Sequence, residues 1–562
     1  MLAKRIGKVA FYGILFIVVI LSATGFLMSQ IAYDSLITYV LQSLHRNDLY
    51  EVLTKKYFTR EKFALLKMLS WGVSACSLIL LLVFFQYRSK LIKGLQQSAE
   101  TVFSLIRKFW TAVCNNSKLV NRLLFVSLLL VLVRSIYYAS TFYIQYDEAW
   151  NYNYFLQNTI FYSGLAYNNY PLHNVISWFF IKLLTPSTFV LRLPSIIAGI
   201  LTCLLVFVTI KKLIHNEWLA LCSMLLFACL PISVFYMLYA RGVLFEMFFS
   251  LLICYFLFTR APGKLTMRQI IFLAMLNALA TYSMLSHVYF IGLSALFLLI
   301  YKLMYGPRQI KELIWYLVLS IGFSLLLLLP MAFGTGLSSG LQASVGNASY
   351  LVLHMLPYHC YSDFMTGAWF LFYLLIAINV LLLFRKASSN RSILILANLV
   401  LLASPWIIRL ATGIFPPERG LAFLCIIPIS SFAMLLEVSR IRKDFLLMGT
   451  LLIISVLSYV TYYHTKLNWS KELDAQVCKL ARTLLSKEDV SIYSSTSKFN
   501  YFVPGVQYYY SLSGRPFNYS TNDTGSSRYR LDEDAPCVIT ENYMGENTLL
   551  FSYDSMYVYF KK

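Results

Sequence analysis

The sequence predicts an all-α polytopic membrane protein of about thirteen spans, with a small extracytoplasmic α/β domain at its C-terminal end. Three observations predict it. Hydrophobic residues make up 59 % of the chain and charged residues 13 %, where a soluble protein carries about 25 % charged. Apolar runs long enough to cross a bilayer recur until about residue 463 and then stop. The basic residues between those runs fall on one side when the spans alternate.

Taken in order, Lys4, Arg5 and Lys8 border the first run, 6–28, which is long enough to remain as a span rather than be cleaved. A mixed-charge segment, 29–67, leads to a second run at 68–87. A basic connection follows (Arg88, Lys90, Lys93, Arg107, Lys108, Lys118, Arg122), opposed only by Glu100. Placing it in the cytoplasm puts the N-terminus there too. The third span, 123–141, then delivers residues 142–189 to the outer face. Further runs lie at 190–210, 217–237, 243–259, 269–285, 287–303, 313–333, 368–384, 391–409, 420–437 and 445–463. The stretch 269–303 is divided at Ser286-His287; one long helix there would invert everything after it. The loops around Lys211-Lys212, Arg260/Lys264/Arg268, Lys302/Arg308/Lys311, Arg385-Lys386/Arg391 and Arg440/Arg442/Lys443 all support the division. These loops also account for the net charge of +22. No feature is left to argue for a nucleic-acid partner.

From about Lys466 the chain turns polar. Leu473, Val477, Leu480, Ala481, Leu484 and Leu485 recur at helical spacing. Asp489 to Tyr493, Cys537 to Thr540 and Leu549 to Tyr559 read as strands, and Tyr508-Tyr509-Tyr510 as packing for a small core. The expected division is thus 1–119, an N-terminal two-span addition; 120–463, the transmembrane core; and 464–562, the soluble domain. Cys478 and Cys537 are the only cysteines of that last segment. A disulfide and two separate thiols both remain open, since spacing cannot place them within bonding distance.

The chemistry-bearing residues gather on the outer face. Asp147 and Glu148 follow the third span and precede an aromatic, Asn-rich stretch. They read either as a helix cap with a first-turn acid or as a general base at the membrane boundary. Arg241, between two apolar runs, is costly there unless paired. It is either a functional cation or a structural partner of Glu246 or Asp147. His354 and His359 read more readily as solvated groups than as metal ligands.

In order, Tyr146-Asp147-Glu148, Tyr170-Pro171-Leu172-His173, Leu191-Arg192-Leu193-Pro194-Ser195, Tyr239-Ala240-Arg241-Gly242, Ser286-His287 and Pro416-Pro417-Glu418-Arg419 resemble the GT-C membrane glycosyltransferases. The nearest groups are the protein O-mannosyltransferases of glycosyltransferase family 39 and the lipid A aminoarabinose transferase. The resemblance covers roughly 120–463. It implies transfer of a sugar from a polyprenyl phosphate to a lipid, glycan or protein acceptor, on the outer face of the plasma (inner) membrane. It makes Asp147 the catalytic carboxylate, beside Glu148. Arg241, Arg419 and Arg192 become donor-phosphate candidates, and Tyr146, His173, His287 and Glu418 pocket candidates. One departure stands out: the lipid A transferases tend to carry a Lys just before the Pro-Leu motif, where this chain has Asn169-Tyr170. No cofactor is required; a divalent cation on Asp147 and Glu148 is an open option. Single-carboxylate activation implies inversion. Adjacent acids on a short helix point about 100° apart and do not form a retaining pair. A polyprenyl-linked sugar transporter or flippase, or a lipid-binding scaffold for envelope assembly, are the alternatives. A transporter should show repeats or Gly/Pro-broken spans, and neither is clear in the sequence.

Overall fold

The computed structural model describes residues 2–44, 54, 59–157, 163–164, 170–260, 264–305, 310–335, 370–383, 389–412, 418–439, 468–486, 491–494, 503–515, 518–520, 529–532, 547–553 and 556–561. The chain divides into two compact units, one built from Met1–Ser117 and the other starting at Lys118.

In the first unit α1 (Leu2–Gln30) packs along α3 (Arg60–Gln86), with α2 (Tyr33–Leu44) between them in sequence. The contact uses small residues. A Cβ on Gly25 would meet Ser70 O at 2.9 Å, and Ser74 Oγ donates to Ser22 O at 3.1 Å. Close backbone approach of this kind is how helices associate in lipid, where hydrophobicity gives no advantage. Thr59 caps α3 by accepting from Lys62 N. Basic α4 (Arg88–Cys114) follows after a single residue.

The second unit holds α5 (Lys118–Thr141), α6 (Tyr146–Asn151), a π-helical turn (Tyr152–Leu156), α7 (Pro171–Leu183), α8 (Thr188–Ile214), α9 (Glu217–Cys229) and α10 (Pro231–Leu238). After these come α11 (Val243–Arg260), α12 (Met267–Ser283), α13 (His287–Tyr305), α14 (Ile310–Thr335), α15 (Phe370–Leu383), α16 (Ser389–Thr412) and α17 (Ile426–Ser439). Helix α8 is the most enclosed, buried along most of its length and packed by α5, α7, α9 and α11.

Two expectations meet different fates here. The division at Ser286-His287 is present: α12 ends at Ser283 and α13 starts at His287. The single span at 217–237 is instead two helices bent by 61°. Pro231 has no N–H to donate and forces Leu230 out of the helical region, to φ −58° and ψ 133°. Among the described residues seven helices are long and apolar enough to cross a membrane, eight if the bent pair is one span. Three shorter apolar helices accompany them. The expected 269–285 run appears as the 17-residue α12, and 445–463 lies outside the described residues.

Polar side chains inside the bundle satisfy one another. Asn379, Asn398, Ser430 and Ser431 bridge α15, α16 and α17. Buried Lys302 meets Glu312 at 2.6 Å, and Leu265 N donates to the same carboxylate. Toward the C-terminus α18 (Asn468–Leu485) packs on α19 (Val503–Leu512), where Gly505 closes onto Val477. A five-stranded sheet has the order β2-β1-β3-β5-β4. Here β1 (Ser491–Ser494) runs parallel to β2 (Asn518–Ser520) and β3 (Tyr529–Asp532). The antiparallel pair β4 (Asn547–Tyr553) and β5 (Met556–Lys561) completes it. The expected 549–559 strand is therefore a hairpin. Residues 537–540 lie outside the described set. Cys478 is a buried free thiol among the described residues, and Cys537 lies outside them.

Candidate active site

The site is built where α5 ends and the chain turns into α6. Gln145 is extended and serves as N-cap, and its N–H donates to Glu148 Oε2 at 3.0 Å. The third-position acid thus closes a capping box. Asp147 is therefore not the cap, and its carboxylate is left for other work.

Glu148 is fully enclosed. Arg192, on α8, grips it with two parallel bonds, Nε to Oε1 at 2.9 Å and Nη2 to Oε2 at 2.6 Å. Ala240 N donates to Oε1 at 2.6 Å, and with Gln145 N the carboxylate accepts four bonds. The remaining Arg192 N–H groups donate to Ala139 O, a carbonyl left open at the end of α5, and to Phe142 O and Tyr143 O just beyond it. The guanidinium also lies over the Tyr239 ring, 5.3 Å from its centre. All five Arg192 donors are in use. Expected as a phosphate contact, Arg192 is here a staple joining α5, α6, α8 and the Tyr239–Gly242 loop.

Asp147 is placed differently. Its Oδ2 lies 2.7 Å from Arg241 Nη2, with 36 % of the acid side chain and 11 % of the arginine exposed. Of the partners the sequence left open for Arg241, the structure selects Asp147; Glu246 is fully buried with neither oxygen bonded among the described residues. Arg241 Nη2 also donates to Gln145 Oε1 at 2.8 Å, while its Nε has no described partner. The loop that carries it is pressed between neighbours. A Cβ on Gly242 would run into Ser283 O and come within 3.0 Å of Tyr170. Only glycine fits that approach.

The expected pocket residues scatter. His173 is fully buried, its ring nitrogens facing Ser195 Oγ and Ser177 Oγ at 3.2 Å each. Burial pushes its pKa down to about 3, against a partial counter-effect from Asn174. It is neutral at ordinary pH and serves the junction of α7 and α8. His287 belongs to another network, with Ser250 at 3.3 Å and Asn277 at 3.1 Å. Tyr146 opens α6, half-buried beside Asp147. Glu418 and Arg419 begin the 3-10 turn Glu418–Cys425, but their side chains, like His354 and His359, lie outside the described set. Among the described residues no three His, Cys, Asp or Glu side chains are arranged to hold a metal. Each Glu148 oxygen already accepts two N–H bonds, so it has little left to share with a cation beside Asp147.

Several site residues were not foreseen. Asn151 and Asn174 exchange amide bonds at 2.5 and 3.0 Å and enlist Ser163, tying α6 to α7. Helix α19 docks on α6 and the π-helical turn. Tyr508 is buried with Ala149, Tyr152, Leu191 and Ala240, and its hydroxyl meets Thr188 at 3.3 Å. Asn153 donates to Pro504 O at 2.7 Å. The Asn-rich run was visible; its partners 20 to 350 residues away were not.

The dolichyl-phosphate-mannose-protein mannosyltransferase family matches residues 168–332, a stretch that takes in Arg192 and Arg241 and stops short of Asp147. A search of curated proteins gave no significant match. Solved structures of similar fold include ArnT from Cupriavidus metallidurans, in the apo state and bound to undecaprenyl phosphate. Each superposes with a TM-score of 0.52 at 10 % identity, over 77 % of this chain and 97 % of ArnT. The Archaeoglobus fulgidus oligosaccharyltransferase tethered with an acceptor peptide gives 0.41 at 12 % identity, over 73 % of this chain and 69 % of its own. That score is too low to carry an inference. The chain is a multi-pass membrane protein with the GT-C fold of membrane glycosyltransferases.

Proposed function

We propose that this protein transfers a sugar from a polyprenyl phosphate to an acceptor hydroxyl on a lipid, glycan or protein, with Asp147 as general base. The site is read as lying on the extracytoplasmic face of the inner membrane, with the N-terminus inside and the C-terminus outside. The carrying observation is the division of labour between neighbouring acids. Glu148 is spent on Arg192, whereas Asp147 stays part-exposed with Arg241 as its single described partner. The relatives support the donor class: one is named for a dolichyl-phosphate sugar, another was solved with undecaprenyl phosphate.

In this reading the acceptor oxygen forms a bond to the anomeric carbon as the bond to the phosphate oxygen breaks. Its proton passes to Asp147, and attack opposite the leaving phosphate inverts the centre. Arg241 meets the charge on the departing lipid phosphate, using the Nε that has no described partner. Arg419 is the second candidate for that phosphate. The hexosyl or pentosyl identity of the sugar is left to experiment. A transporter or flippase is the second reading, favoured by one observation, the proline-broken α9–α10 span.

Asp147→Asn separates the two. It keeps shape and hydrogen bonding but cannot take a proton. Transfer from a polyprenyl-phosphate sugar, measured on purified protein in nanodiscs, should fall by about 10²–10⁴ while donor binding survives. Turnover near wild type would remove Asp147 as base and leave the transporter standing.

A further inference from the structure

The basic connection between the second and third spans folds as one helix, α4, which the reaction centre does not use. Charge bias that orients spans asks only that basic residues lie in a loop. Here they also share a face. At 100° per residue Lys90, Lys93, Arg107 and Lys108 fall within an arc of about 100°, and all four are exposed. Glu100, on the same face, is the only acid of α4. Among the described residues neither Arg107 nor Lys108 pairs with a carboxylate.

The opposite, apolar side is covered. Leu91, Ile92 and Phe109 are half-buried and Val113 is buried. A helix that enters lipid by its apolar side would leave that side open; what α4 leaves open is charge. A cleft of about 460 Å³ lies on this open side, lined by Ser104, Arg107, Lys108, Thr111, Ala112 and Asn115. Its size is in the range that admits small ligands. Two cations beside a hydroxyl suit phosphate oxygens. Phe103 and Trp110, at the border of the basic face, are 39 % and 52 % exposed. Aromatic side chains, Trp above all, favour the headgroup level of a bilayer.

Chain length keeps α4 at that level. The helix is too charged to cross, and its 27 residues run about 40 Å. Tyr87 alone joins it to the span α3, and residues 115–117, about 10 Å of chain, lead into the span α5. A helix standing 40 Å off the bilayer could not return to α5 over three residues. Both ends therefore stay near one membrane surface, and α4 lies along it. We propose that the basic face of α4 binds the anionic headgroups of that leaflet, with a lipid phosphate seated in the cleft of Ser104, Arg107 and Lys108. The proposal is independent of the transferase reading. It makes α4 an anchor that ties the first unit to the bilayer surface.

Full-length protein in phosphatidylcholine nanodiscs, titrated with phosphatidylglycerol bearing a photoreactive headgroup, tests this. The readout is the label found on α4 peptides by mass spectrometry. Arg107→Gln with Lys108→Gln should need about 30-fold more phosphatidylglycerol for the same labelling, since each basic side chain at a membrane surface contributes about tenfold or a little less. Both positions are exposed, so the thermal midpoint should hold. Ser104→Glu, which adds an acid to the cleft and removes no cation, should weaken labelling as well. Lys479→Gln with Arg482→Gln loses the same charge on α18 and should label α4 as the parent does. If the Arg107/Lys108 variant labels like its parent, the face is only solvated and the site is overturned. An equal loss in the α18 variant would make net charge the cause and overturn it too. Displacement of the label by inorganic phosphate would overturn the lipid assignment.

Discussion

Asp147–Arg241 and Glu148–Arg192 each join an arginine to one of two adjacent acids, at 2.7 and 2.6 Å. Distance does not tell them apart. The inner pair is fully buried and makes bonds with every arginine donor. The outer pair keeps a part-exposed acid and an arginine Nε with no described partner. A buried pair with all its bonds made holds a shape, while a pair with capacity left over can meet a substrate. The inner pair holds α6 so that the outer one faces outward.

That contrast can be broken at each member. Glu148→Gln would leave Arg192 charged and enclosed, and losing one partner of a buried pair costs about 3–5 kcal/mol. The expected result is a steep fall in folded yield and thermal midpoint, unlike Asp147→Asn, which should melt close to wild type. If the two variants melt alike, the inner pair is not structural. Arg241→Ala should act on donor binding, raising KM for the polyprenyl-phosphate sugar about 10- to 100-fold, the range for one charged hydrogen bond. A pure kcat effect would instead make Arg241 a partner of Asp147 alone. The smallest effect is expected at His173. Burial lowers its pKa from 6.5 to about 3, so the unfolded chain takes up a proton that the folded one refuses. The stability this gives is complete above about pH 6.5 and declines as pH falls toward 3. In His173→Gln that part of the acid-side fall in midpoint should vanish, with little change at pH 7.5. An unaltered acid limb would show that His173 is not held neutral.

Much of this was legible in the chain. Long apolar runs specify spanning helices because lipid offers no partner for backbone groups, and the turn at Ser286-His287 followed from the basic loops on either side. The Asp-Glu pair and Arg241 could be singled out by their cost at a membrane boundary. Which acid stays part-exposed could not, because that depends on Arg192 and Ala240 N, which enclose Glu148 from 44 and 92 positions away. The Gln145 cap escaped notice since Gln is not among the favoured N-cap types. The break at Pro231 was hidden by apolar residues on both sides, which read as one run to a hydropathy average. Tyr508 was expected to pack its own domain; it packs α6 and the π-helical turn instead.

The docking of α19 has a consequence in time. Asn153 and Pro504, which bond across this contact, are 351 positions apart. At synthesis rates of about 5–20 residues per second, α6 and the π-helical turn would wait roughly 20–70 s for the helix that packs on them. Closing so long a loop is also a slow step in the assembly of any chain. The protein should therefore be inert while it is being made, with its spanning helices in place and α6 unlatched. Protease sensitivity near Trp150 in chains stalled before Val503, lost in chains released after Leu512, would mark the moment α6 is latched.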